Sequence, residues 1–210
     1  MEFEEFRFGD NGDLNDSLKW DFDESVLKKV RAVDGYDYLL SDSKNLNILV
    51  DIRNRVNRIC EHIYKNMESY DKSVQNGLKL FLSIHGEVPT NNTEIPEPFK
   101  YHWIQNNGIT SRVMYSEIPN DTIFDGLNKP KDRYINNQAP SIGKDKQLRP
   151  SYRHLFFKIP NNATIDSLKN LVIHELAHTA ANHSRWRNDD HGKDFQTYEK
   201  ILKDVWSSKR

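Results

Sequence analysis

Two histidines and a glutamate stand together in His174-Glu175-Leu176-Ala177-His178, and another histidine follows in His191-Gly192-Lys193-Asp194-Phe195. Imidazole and carboxylate are the side chains that hold zinc and move protons near neutral pH. On a helix, residues i and i+4 share a face, so His174 and His178 can grip one ion together. Glu175 sits where it can take a proton from a water on that ion. The chemistry these residue types and this spacing allow is zinc-assisted hydrolysis.

A tetrahedral catalytic zinc needs a third protein ligand and an open fourth position. Three residues qualify. His183 lies five positions after His178, one short of the HExxHxxGxxH spacing, and Ala181 stands where that pattern has glycine. Glu199 falls on the next expected helix, where some zinc hydrolases take a carboxylate ligand. His191 is preferred, because the loop between it and His178 lets the chain reverse and Gly192 frees the backbone just after it. Phe195 then anchors the returning helix. Tyr152, Arg153, His154, Arg185, Arg187 and Tyr198 are near enough in sequence to donate to an oxyanion. Asp189 and Asp190 can orient a ligand imidazole or cap the last helix.

These side chains need elements to hold them. Leu168, Leu171, Val172 and Leu176 predict a helix capped by Asp166 or Ser167 and running to about Ala181, with the motif on it. Phe195, Tyr198, Ile201, Leu202, Val205 and Trp206 predict a second one over 193–206. Upstream, apolar residues at every third or fourth position predict a long helix over 45–70 and another over 73–84, packed as a hairpin. Strands are expected over 109–118 and 153–159, with turns at Asp125-Gly126, Lys129-Pro130 and Ala139-Pro140. The 153–159 strand precedes the motif helix and is expected either at the sheet edge, where an extended peptide can pair with it, or paired on both sides. Residues 1–22 form an acidic, partly irregular arm with a short strand over 2–8, and 86–108 a long connection.

The HELAH stretch with the later His191-Gly192-Lys193-Asp194-Phe195 resembles the HExxH plus HGxxF signature of SprT-like and WLM zinc metallopeptidases, including the WLM-like type encoded by large DNA viruses. The resemblance covers roughly residues 150–206. It implies an α+β fold with a zincin-like minimal metallopeptidase core, a small sheet packed on the HExxH helix, preceded here by the N-terminal helical hairpin. It also implies zinc ligands His174, His178 and His191, with Glu175 as the catalytic acid/base acting on a zinc-bound water. The substrates implied are proteins or peptides, among them proteins associated with DNA or a virion. On this reading the chain divides into the arm over 1–22, a helical region over 23–100 and a zincin-like domain over 101–210.

Composition sets outer limits. No run approaches the roughly 20 apolar residues of a membrane span, and the acidic start lacks the basic and apolar regions of a signal peptide. The single Cys60 suits a reducing compartment, so a cytoplasmic, nuclear or virion-packaged protein is expected, not a secreted one. Charge is uneven: residues 1–26 hold nine Asp or Glu against Arg7 and Lys19, and residues 126–158 hold eight Lys or Arg against Asp132 and Asp145. The basic stretch suits an ordinary solvated loop or a nucleic-acid contact. Two other functions therefore stand beside the enzyme: a structural or virion protein that keeps a zinc site, and a nucleic-acid-binding module.

Overall fold

The computed structural model describes residues 24–86, 113–118, 125–131, 152–181 and 191–208. The arm over 1–22, its short strand, most of the 86–108 connection and the turn at Ala139-Pro140 lie outside them. Apolar spacing upstream gives α1 (Leu46–Lys65), which buries Leu49, Ile52, Val56, Ile59, Cys60 and Ile63, and α2 (Lys72–His85). The two pack together as expected. A short 3-10 turn, Met67–Ser69, takes the end of the long helix that the periodicity extends to residue 70.

Residues 28–40, expected within a helical region, instead form a hairpin of β1 (Lys28–Arg31) and β2 (Asp37–Leu40). Lys28, Lys29 and Arg31 are exposed, so β1 shows no alternation that a sequence reading could catch. Gly35 makes the turn with φ 84°, a conformation that favours glycine. Asp34 locks it by accepting from Tyr36 N–H at 3.0 Å and Tyr38 O–H at 2.6 Å, and pairs with Arg53 of α1 at 2.9 Å.

The hairpin joins β3 (Val113–Glu117), β4 (Gly126–Lys131) and β5 (Tyr152–Phe157) in one mixed sheet of order β1-β2-β3-β5-β4. β2, β3 and β5 run parallel, and each outer strand is antiparallel to its neighbour. Tyr38, Leu40, Val113, Tyr115, Leu155 and Phe157 turn one face toward the helices and form a continuous core with them. Leu39, Leu127 and Phe156, one position out of phase, pack on the other face with Leu27 and Ile118. The fold is thus α+β, and the hairpin and upstream helices share their core with the motif helix. Among the described residues no helix is long and apolar enough to cross a membrane.

Glu117 at the end of β3 fastens the sheet to the start of α1. Its buried carboxylate accepts from Ser41 N–H and Asp42 N–H, both at 3.0 Å, and from the Asn45 amide at 2.7 Å. Glu117→Ala removes all three hydrogen bonds at a buried site, so denaturant unfolding should report a loss of about 2–4 kcal/mol. A loss below about 0.5 kcal/mol would show that the turn is held by other contacts.

One expectation about the sheet is resolved and another is corrected. β5 lies between β3 and β4, so the 153–159 strand is no edge. The edge is β4, which occupies the Asp125-Gly126 and Lys129-Pro130 stretch expected to turn. The bond from Lys158 N–H to the Asp125 carbonyl, 2.7 Å, sets the phase of the ladder. Residues 127, 129 and 131 therefore direct their backbone groups at β5, and 126, 128 and 130 direct theirs outward. Pro130 falls on an outward position, where its missing N–H breaks no bond to β5. Among the described residues no strand pairs with this outer side.

Candidate metal centre

The motif helix α3 (Lys169–Ala180) starts later than the expected Asp166 or Ser167 cap, with Leu168 before it making no side-chain cap bond. The chain enters through a turn in which Thr164 N–H donates to Ser167 Oγ at 2.9 Å and Ser167 N–H donates to Thr164 Oγ1 at 3.2 Å. Ser167 therefore serves the entry turn, and the Leu168 N–H bonds the Thr164 carbonyl at 3.2 Å. α3 buries Val172, Ile173, Leu176, Ala177 and Ala180 between the sheet and the other helices. α4 (Lys193–Ser207) packs against it through Phe195, Tyr198, Leu202, Val205 and Trp206. Gly77 on α2 allows this close packing, since a Cβ there would overlap the Tyr198 ring and hydroxyl.

His174 and His178 project from one face of α3, and the start of α4 brings His191 to them. Their ligand atoms lie within 4.8 Å of one another. His174 Nε2 is 3.3 Å from His178 Nε2 and 3.2 Å from His191 Nε2. Two nitrogens at zinc-ligand distance, about 2.0–2.1 Å from a tetrahedral ion, stand roughly 3.3–3.4 Å apart. The two spacings at His174 match this, and three imidazoles are a donor set that could hold such an ion. Phe195, buried, lies behind all three imidazoles with ring centroids 5.1, 4.7 and 4.7 Å from His174, His178 and His191. His191 itself is exposed, so the cluster opens to solvent on that side. Gly192 has φ −64° and ψ −175°, angles open to any residue, so the chain reversal does not use the freedom expected of glycine.

Electrostatics favours ligation. Burial first, and then the electrostatic effect of neighbouring His191, bring the His174 pKa down to about 4, with Glu199 opposing and Lys203 assisting. The imidazole is thus neutral at pH 7, the form that binds metal. Glu175 is buried and its carboxyl is pushed up to about 8 by burial. It lies against Leu171 and against Gly126 of the edge strand, where a Cβ would collide with the carboxylate. A side chain at position 126 would push the Glu175 carboxylate aside.

A polar chain unread in the sequence keys β4 to α3. The Asn128 amide donates to the Glu175 carbonyl and, at 2.9 Å, to Thr179 Oγ1. Thr179 Oγ1 also meets His85 Nε2 of α2 at 3.0 Å, and the buried Arg153 donates to Asn128 Oδ1 at 3.4 Å. Burial, and then the Arg153 charge, lower the His85 pKa to about 3, which keeps that ring neutral. A lone Asn in a turn-like stretch carries no sequence signal for this, because its partners lie far along the chain.

The other expected residues separate. Tyr198 turns its hydroxyl to the Val74 carbonyl at 3.4 Å, and His154 bonds Ser116 at 2.6 Å on the far face of the sheet. With Arg153 engaged on Asn128, these three side chains are committed away from the imidazole cluster. Arg153 is also buried, so it is no surface cation for a nucleic acid. His183, Arg185, Arg187, Asp189 and Asp190 lie outside the described residues, as do 132–151 of the basic stretch and the side chain of Tyr152. Glu199 stands not with the Nε2 atoms but 4.0 Å from His174 Nδ1. No family model, curated protein or solved structure matches the chain.

Proposed function

We propose that the chain is a zinc-dependent metalloendopeptidase of zincin-like build, related to the SprT-like and WLM enzymes that its motif resembles. The observation that carries the reading is the convergence of three imidazoles, two on the helix that also bears Glu175 and one just before α4, with ligand atoms within 4.8 Å of one another. The rings of His174, His178 and His191 would hold the ion. Bound there, zinc supplies a Lewis acid and brings the pKa of water toward about 7. Glu175 accepts a proton from water and returns it to the leaving amine nitrogen. Burial raises its proton affinity, which suits a base that must also act as an acid.

The outer side of β4, with which no strand pairs among the described residues, supports the choice of a polypeptide substrate. Outward N–H and C=O groups at 126 and 128 suit an extended chain, and Gly126 lies against the base. Backbone pairing of this kind makes little demand on substrate sequence. A purely structural zinc site has no need of a carboxylate beside its first ligand, which weighs against the structural alternative.

Metal analysis together with cleavage of an unfolded protein, with and without DNA, tests the reading. One zinc per chain and chelator-sensitive cleavage are expected. A chain without zinc, or one that holds zinc and cleaves nothing, would overturn it.

A further inference from the structure

Glu199 was one of three candidates for the third ligand, and its position suits another task. It lies on α4, two turns after His191, on the side of the His174 ring away from the imidazole cluster. Its two oxygens are divided. Oε2 pairs with Lys203 at 3.0 Å, one turn further along the same helix, and Oε1 faces His174 Nδ1 at 4.0 Å. His174 Nε2 is the atom that meets both His178 and His191. If Nε2 is the metal-binding nitrogen, Nδ1 carries the proton, and a carboxylate facing it selects that tautomer.

We infer that Glu199 is a positioning residue of the metal centre, orienting His174 through Nδ1 while Lys203 holds the carboxylate in place. This rests on the zinc-site reading but goes past the ligand set. His174 Nε2 approaches both other imidazoles closely. A ring turned about its Cβ–Cγ bond would lose both approaches together. The position on α4 also links His174 to the element that delivers His191 and Phe195, so one helix fixes the ligand, the wall behind it and the orientation of the first imidazole.

The experiment compares the whole chain with Glu199→Gln and Glu199→Ala. Zinc affinity is measured by competition with a chromophoric chelator, thermal unfolding is measured on the metal-free proteins, and imidazole N–H resonances are recorded on the zinc-loaded ones. The expected result is about a tenfold or greater loss of zinc affinity in both variants. Metal-free stability should be unchanged, and the His174 Nδ1–H resonance should move or exchange faster. Wild-type affinity in Glu199→Gln would overturn the inference while leaving the zinc site standing. Equal destabilisation of the metal-free variant, with no change at Nδ1–H, would overturn it by making Glu199 a fold residue. A wild-type chain that binds no zinc would remove the premise, and so fails in a different measurement from the other two.

Discussion

Glu175→Gln is expected to keep its zinc and to lose cleavage by about 10²–10⁴-fold, the usual contribution of a positioned general base. Gln preserves the volume that fits between Leu171 and Gly126, so the helix and its imidazoles should stay in place. It also puts a neutral amide where burial penalises a charged carboxylate, so unfolding should show no loss of stability. What the variant lacks is an atom that takes a proton and gives it back. Metal content and cleavage rate on the same preparation make the measurement. Zinc retained with wild-type cleavage would exclude Glu175 as the base, whatever the ligands prove to be.

The second large effect is on the metal itself. His191→Ala removes one of three converging nitrogens, and His183→Ala should remove none. If a site of this kind binds zinc with about 10–16 kcal/mol shared among four positions, one ligand is worth roughly 3 kcal/mol, or at least about a hundredfold in affinity. Equilibrium dialysis against buffered zinc should therefore show His191→Ala largely empty at concentrations that fill His183→Ala. Phe195 should remain buried in both, because its packing on α3 does not depend on the imidazole. The reverse pattern would transfer the third ligand to His183 and sink the resemblance on which the family assignment rests.

Much of the cluster was legible because a helix converts spacing directly into geometry. The four-residue step from His174 to His178, the apolar period of α3 and α4, and the position of His191 just before α4 together bring the three imidazoles together. Strands offer no such conversion when they are short. β1 spans four residues, three of them exposed cations or their neighbours, and its pairing with β2 depends on a turn built by Asp34 and Gly35. β4 was hidden by its own Gly126 and Pro130, which read as breakers until the ladder phase shows each one on the outward side. The roles of Gly126 and Asn128 were unreadable for a different reason. Both depend on contacts with Glu175, nearly fifty residues away, and no local pattern encodes a distance of that kind.

Pro130 has a further effect, on how copies of this molecule meet one another. An uncovered strand is a template on which identical strands stack, and stacking grows into insoluble fibrils when donors and acceptors continue along the whole length. Here the outward row offers N–H groups only at Gly126 and Asn128, and the next place in the row is a proline. Two copies laid edge to edge would run out of donors after that short run. A proline at that place therefore limits how far copies of this strand could stack.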